Sequence, residues 1–154
     1  MCKIVREFPP LCRECSALLL PPTCTDSVAI AECRRCHEKY ACFLPGWLPT
    51  ADEELIKYYS NNVGALTFEF GHSFWSAVAL AREYYNKFTD EAYCRSIGIP
   101  TQNDEFFWHE GGGMASRIHY YLVVGGDPDP HRFIDWRTEH NRLKRAERDR
   151  LKGL

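Results

Sequence analysis

Apolar residues recur at three- and four-residue steps from Phe74 through Ala77, Val78, Ala81, Tyr84 and Tyr85 to Phe88, with Arg82, Glu83, Asn86 and Lys87 left on the opposite side. That period predicts an amphipathic helix over residues 73–88 whose apolar face is core. Ahead of it, Thr50-Ala51-Asp52-Glu53 reads as a capping box opening a short helix with Leu55, Ile56 and Tyr59 inward, ended near Ser60 by Asn61-Asn62. Behind it, Thr89-Asp90-Glu91 starts a shorter helix that Gly98 and Pro100 stop, and residues 101–108 suggest another helical turn. The pattern then changes. Ile118 to Val124 is a run of aromatic and β-branched residues and predicts a strand. Gly125 to Pro130 supplies a turn, and Arg132 to Trp136 is the expected return strand. From Thr138 onward the chain is helix-prone but almost wholly polar, as expected of a solvated terminal helix.

The first fifty residues show no such periodicity, and two prolines and a glycine in Leu44-Pro45-Gly46-Trp47-Leu48-Pro49-Thr50 mark a boundary. We therefore expect two parts: a cysteine-rich module over residues 1–49, and a body over residues 50–154. The expected fold class is α+β, with a zinc-stabilised, loop-rich N-terminal module packed on a helical body that carries a small antiparallel sheet.

Composition supports a packed core: 45% of the 154 residues are hydrophobic and 14% aromatic. The net charge of −2 conceals an uneven distribution. Residues 51–130 hold five basic against twelve acidic residues, and residues 131–154 hold eight against four. An acidic body opposes non-specific contact with phosphates, while the basic tail, with Arg142 and Arg145, leaves nucleic acid as a secondary expectation. No apolar run approaches a membrane span and the opening residues lack the apolar stretch of a signal peptide, so a membrane partner is not expected and an intracellular, reducing compartment, cytoplasm or nucleus, is.

In such a compartment paired cysteines more often hold metal than each other. Cys12-Arg-Glu-Cys15 and Cys33-Arg-Arg-Cys36 are two Cys-x2-Cys pairs with seventeen residues between their inner members. Each pair turns tightly enough to put both sulfurs on one ion, and together they complete a tetrahedral shell. This spacing resembles zinc-ribbon and related four-cysteine modules over residues 10–43, and the resemblance implies a closed, structural Zn2+ site. Cys24, His37 and Cys42 are alternative ligands, and Cys2 is a further candidate. Cys33-Arg-Arg-Cys36-His37 also fits the covalent haem pattern, but that chemistry needs export and would leave the upstream pair without a role.

Outside the cysteines, Ser73 at a helix start, His119 on the expected strand and Asp135 on the next follow the order of nucleophile, base and orienting residue seen in papain-like folds. The residue at the nucleophile position there is cysteine, and here it is serine. The simpler reading makes Ser73 an N-cap and His119 a half-buried structural residue. His109-Glu110 lacks a second histidine at helical spacing, and Gly111 to Gly113 and Gly125-Gly126 lack the lysine and hydroxyl residue of a phosphate loop. They read as turns. The leading functional expectation is thus a zinc-holding module that binds another protein. Trp47, Trp75, Trp108 and Trp136 are its candidate anchors; a papain-like hydrolase or inactive relative, and a nucleic-acid-binding zinc protein, are the alternatives.

Overall fold

The fold is that of a computed structural model describing residues 2–25, 27–44, 46–110 and 113–153. The N-terminal part holds a four-stranded sheet of β1 (Cys2–Ile4), β2 (Thr23–Cys24), β3 (Val28–Glu32) and β4 (Lys39–Phe43), in the order β1-β4-β3-β2. β1 lies parallel to β4, and the other pairs are antiparallel. Alternation sets the faces: Ala29 and Ala31 of β3 are buried while Ile30 and Glu32 point out. Opposite them, Tyr40 and Cys42 of β4 pair with Ala31 and Ala29.

The rest is helical: α1 (Glu53–Phe70), α2 (Phe74–Phe88), α3 (Glu91–Ser96), α4 (Asp104–Glu110), α5 (Met114–His119), which runs on as a π-helical turn over Tyr120–Val124, and α6 (Pro130–Lys152). The expected helix over 73–88 is α2, and Ser73 caps it by accepting from the Ser76 amide at 3.2 Å. α1 differs from expectation at both ends. Its N-cap is Asp52, whose Oδ1 accepts from the Glu54 and Leu55 amides at 3.0 and 3.2 Å, while the Thr50 hydroxyl accepts only from the Asp52 amide. Nor does it stop at Asn61-Asn62. Asn62 is buried, its Nδ2 donates to the Tyr58 carbonyl at 3.1 Å, and Val63 and Leu66 extend the same inward face to a left-handed Gly71 cap.

The expected strands of the body are absent among the described residues: both Ile118–Val124 and Arg132–Trp136 are helical. Their real period begins earlier. Met114, Ala115, Ile118, Tyr121 and Leu122 recur at helical steps and pack against α1 and α2, which overrides the strand preference of single residues. Asp129-Pro130 is likewise a helix start, with Asp129 Oδ1 accepting from the His131 amide at 2.9 Å and Pro130 in the first turn. Gly111 and Gly112, read as part of a turn, lie outside the described residues.

One large core joins the two parts, running from Cys24, Ala29, Cys42 and Leu44 through Trp47 to Leu55, Tyr59, Phe74, Tyr84, Phe107 and Ile118. Within it Tyr59 meets Tyr58, Tyr85 and Phe107 edge-on. The buried Arg117 is paired with Glu110 at 2.8 and 3.2 Å and sandwiched by Phe106 and Phe133, which compensates its desolvation. A second, smaller core of Cys12, Leu19, Cys33 and Tyr40 lies at the far end of the sheet. Among the described residues no helix is long and apolar enough to cross a membrane.

Candidate metal centre

Both cysteine pairs sit at the tips of tight turns built to one plan. The first is bracketed by the antiparallel bridge Leu11–Leu18, the second by the last β3–β4 pair, Glu32–Lys39. In the first, the Cys12 amide donates to the Ala17 carbonyl at 2.7 Å and the Ser16 amide to the Cys12 carbonyl at 2.8 Å. In the second, Cys33 donates to Glu38 and His37 to Cys33, each at 2.8 Å. The residue after each second cysteine, Ser16 or His37, is left-handed, with φ of 60° and 64°. This reversal brings the chain back behind the sulfurs.

The two turns face each other. Cys12 Sγ lies 3.5 Å from Cys36 Sγ, Cys15 Sγ lies 3.5 Å from Cys33 Sγ, and all four sulfurs fall within 4.8 Å of one another. A tetrahedron with metal–sulfur arms of about 2.3 Å has edges of about 3.8 Å, so the pocket has the size of a four-thiolate metal site. Among the described residues this is the one cluster of histidine, cysteine or carboxylate ligands able to hold an ion.

The surroundings favour the thiolate at Cys12 and Cys33. Burial opposes ionisation of Cys12, but the Tyr40 hydroxyl, the amides of Cys15 and Glu14 and the Cys36 thiol outweigh it and bring Cys12 down to about 6. The Cys36 amide leads in holding Cys33 low, against burial and together with the Arg35 amide and the thiols of Cys15 and Cys36. For Cys36 the Glu38 amide favours the thiolate, yet burial and the sulfurs of Cys12, Cys15 and Cys33 prevail and push it up to about 12. Metal binding needs the thiolate form, so a cation arriving at these sulfurs would displace the protons they hold.

Two side chains that sequence reading missed support the site. Tyr40 Oη accepts from the Arg13 amide at 2.9 Å and lies 3.6 Å from Cys12 Sγ. Lys3 of β1 pairs with Glu14 of the first turn and lies 3.7 Å from Glu38 of the second, so it ties the turns together from outside. Tyr40 carried no local signal, because its closeness to Cys12 Sγ depends on the pairing of β4 with β3, which the expected loop-rich module did not include.

The alternative ligands lie elsewhere. Cys24 and Cys42 are buried in the large core, where burial pushes the Cys24 thiol up to about 11, opposed by Ser60, and also raises Cys42. The His37 ring is exposed and meets Glu32 Oε1 at 3.1 Å, and Cys2 is exposed on β1.

The residues expected to act as nucleophile, base and orienting group are not brought together as a relay. Ser73 caps α2, Asp135 is exposed on α6, and His119 Nδ1 meets His72 Nε2 at 2.9 Å. Of the tryptophans, Trp47 is fully buried, with Nε1 donating to the Thr25 carbonyl at 2.8 Å, whereas Trp75 and Trp108 are exposed and Trp136 is half-buried. Arg142 is exposed on α6 and doubly bonded to Glu139; Arg145 is exposed nearby. No protein-family model, curated protein or solved structure matches the chain.

Proposed function

We propose that the chain is a zinc-stapled interaction module, in which Cys12, Cys15, Cys33 and Cys36 hold one structural Zn2+ and the rigid surface so formed binds another protein. The observation that carries the metal is the convergence of four sulfurs within 4.8 Å from two matching turns. Four protein ligands fill a tetrahedron and leave no position for a reacting water, so the ion holds shape. A reducing compartment, cytoplasm or nucleus, suits thiols that must stay unpaired to bind it. Exposed Leu18 on the module and exposed Phe68 and Trp75 on the body are aliphatic and aromatic groups suited to anchoring a protein partner, and they replace buried Trp47 in that role.

The test is metal analysis of the purified chain with a Cys12→Ser/Cys33→Ser variant beside it. One equivalent of zinc per chain, lost in the variant, is expected. A well-folded chain with less than about half an equivalent, and no response to chelator, overturns the metal assignment. For the partner, affinity capture with wild-type protein should recover a protein that Trp75→Ala releases; capture unchanged by Trp75→Ala, Phe68→Ala and Leu18→Ala together counts against this surface.

One observation favours a second reading. Arg145, Arg148 and Lys152 follow one another by three and four residues along one face of α6 and have no ion-pair partner among the described residues. Such a stripe suits nucleic-acid phosphates. Its binding would weaken steeply as salt rises, and no detectable affinity at low salt would dismiss it.

A further inference from the structure

Three histidines that the thiolate site does not use meet where α6 rests on the body. His72 follows the cap of α1, His119 ends α5, and His140 lies midway along α6. His119 stacks on Phe70, the last residue of α1, with ring centres 4.3 Å apart, and Phe70 stacks on His140 at 5.0 Å. His140 in turn stacks on Trp136 at 5.1 Å with planes 10° apart. Beyond His140, every described residue of α6 is exposed, so this column of rings is the last contact side of the helix before it projects into solvent, apart from one ion pair between Lys144 and Glu69 at 3.2 Å. Upstream, Phe133 is fully buried against Tyr120, Tyr121 and Arg117, and Arg137 pairs with Glu110 at 3.4 Å.

The column accepts neutral imidazoles and is hostile to charged ones. His72 Nε2 and His119 Nδ1 are 2.9 Å apart, a spacing that needs one nitrogen to donate and the other to present a lone pair. One added proton can be accommodated elsewhere on the pair, but protonating both rings turns both nitrogens into donors and sets two cations against each other. His140 Nε2 is buried without a hydrogen-bond partner, so a proton there would be a desolvated donor with nothing to receive it. The other charged groups facing these rings are Glu69 from α1 and Lys144 from α6, and that carboxylate is already engaged by that ammonium.

We propose that the junction of Phe70, His72, His119, Trp136 and His140 is an acid-released latch: neutral imidazoles dock α6 on the body, and their protonation frees the helix from Thr138 onward while Phe133 and Arg137 stay anchored. Burial, then the neighbouring His72 and His140, hold His119 below its ordinary value of 6.5. Burial and Lys144 do the same for His140, with Glu69 opposing. The sign follows from linkage. A histidine whose docked form resists protonation contributes its stabilisation above about 6.5, and that contribution is lost as pH falls towards the depressed docked value, because the released state takes up the proton first. The device would turn mildly acid conditions into a mobile basic arm.

Hydrogen exchange on the full-length chain, with metal content measured alongside, tests this. Between pH 7.5 and 5.5, after correction for intrinsic exchange, amides of residues 138–144 should lose roughly tenfold protection for each proton taken up per pH unit, while those of α2 do not change. A His119→Phe/His140→Phe variant should stay protected over the same range. Unchanged protection in the wild type, or an equal loss in the variant, overturns the proposal. Should that variant fail to fold, imidazole titration of the wild type by NMR decides: midpoints of His119 and His140 that coincide with the loss of protection support the latch, and midpoints outside it sink it.

Discussion

The hydroxyl of Tyr40 accepts from the Arg13 amide and lies within reach of Cys12 Sγ, so one oxygen both fixes the first turn and stabilises its thiolate. Removing it leaves the four ligands in place but loosens the geometry that presents them. With zinc as the bound ion, Tyr40→Phe should weaken affinity by about 10–100-fold, the range for groups that orient ligands, in competition with a chromophoric chelator. An unchanged affinity would show that the two turns position the sulfurs alone. Backbone handedness is the other demand made on single residues. Ser16 and His37 occupy left-handed positions that ordinary side chains avoid. A β-branched residue fits worst there, so His37→Val should be less stable than His37→Gly by roughly 1–2 kcal/mol in denaturant unfolding of the metal-loaded protein. Equal stabilities would mean that the reversal at residue 37 is not strained.

Element behaviour is clearest at the turn joining α5 to α6, where the π-helical segment ends at left-handed Gly125 and Tyr120 Oη donates to the Asp127 carbonyl at 2.6 Å. A Cβ on Gly126 would collide with the Tyr120 ring. Gly126→Ala should therefore cost about 1–3 kcal/mol, read from the denaturation midpoint, and no loss would show that the ring can swing aside freely. This turn also shows where sequence reading succeeded and failed. α2 was legible because its apolar period and its serine cap agree, and the clustering of the four cysteines was legible because Cys-x2-Cys spacing is a local constraint. The run Ile118–Val124 was not, since its aromatic and branched residues favour a strand one by one, whereas Met114, Ala115 and Ile118 packed on α1 make it a helix. Asp129-Pro130 could serve a turn or a helix start, and only the burial of Phe133 one turn later distinguishes them. The histidine column was illegible for a different reason: its members come from three separate elements, and nothing local relates His72 to His140.

At the scale of the whole molecule, the sheet and the helices share one core, while Cys12, Cys15 and Cys33 belong to a small core of their own at the far end of the sheet and Cys36 is exposed beside it. Trp47 joins the two parts: it is fully buried, its indole donates to the Thr25 carbonyl, and its own carbonyl accepts from Arg82 Nε at 2.7 Å. These facts separate two ways of damaging the protein. Removing a metal bound by the four sulfurs would not touch the contacts of Ala29, Cys42 and Leu44 with the body, so disorder should be confined to the turns around residues 12–17 and 33–38. Trp47→Ala instead opens a cavity inside the shared core and should cost roughly 3–5 kcal/mol in global stability without disturbing the four sulfurs. The paired measurement is chelator treatment of the wild type and thermal unfolding of Trp47→Ala, each followed by helical circular dichroism and by hydrogen exchange at β3 and β4. Chelation should leave the helical signal intact and expose only the amides next to the sulfurs, whereas the tryptophan variant should unfold as one unit at a lower temperature. If chelation collapses the helices as well, the metal supports the whole fold, and a boundary near residue 49 has no energetic meaning.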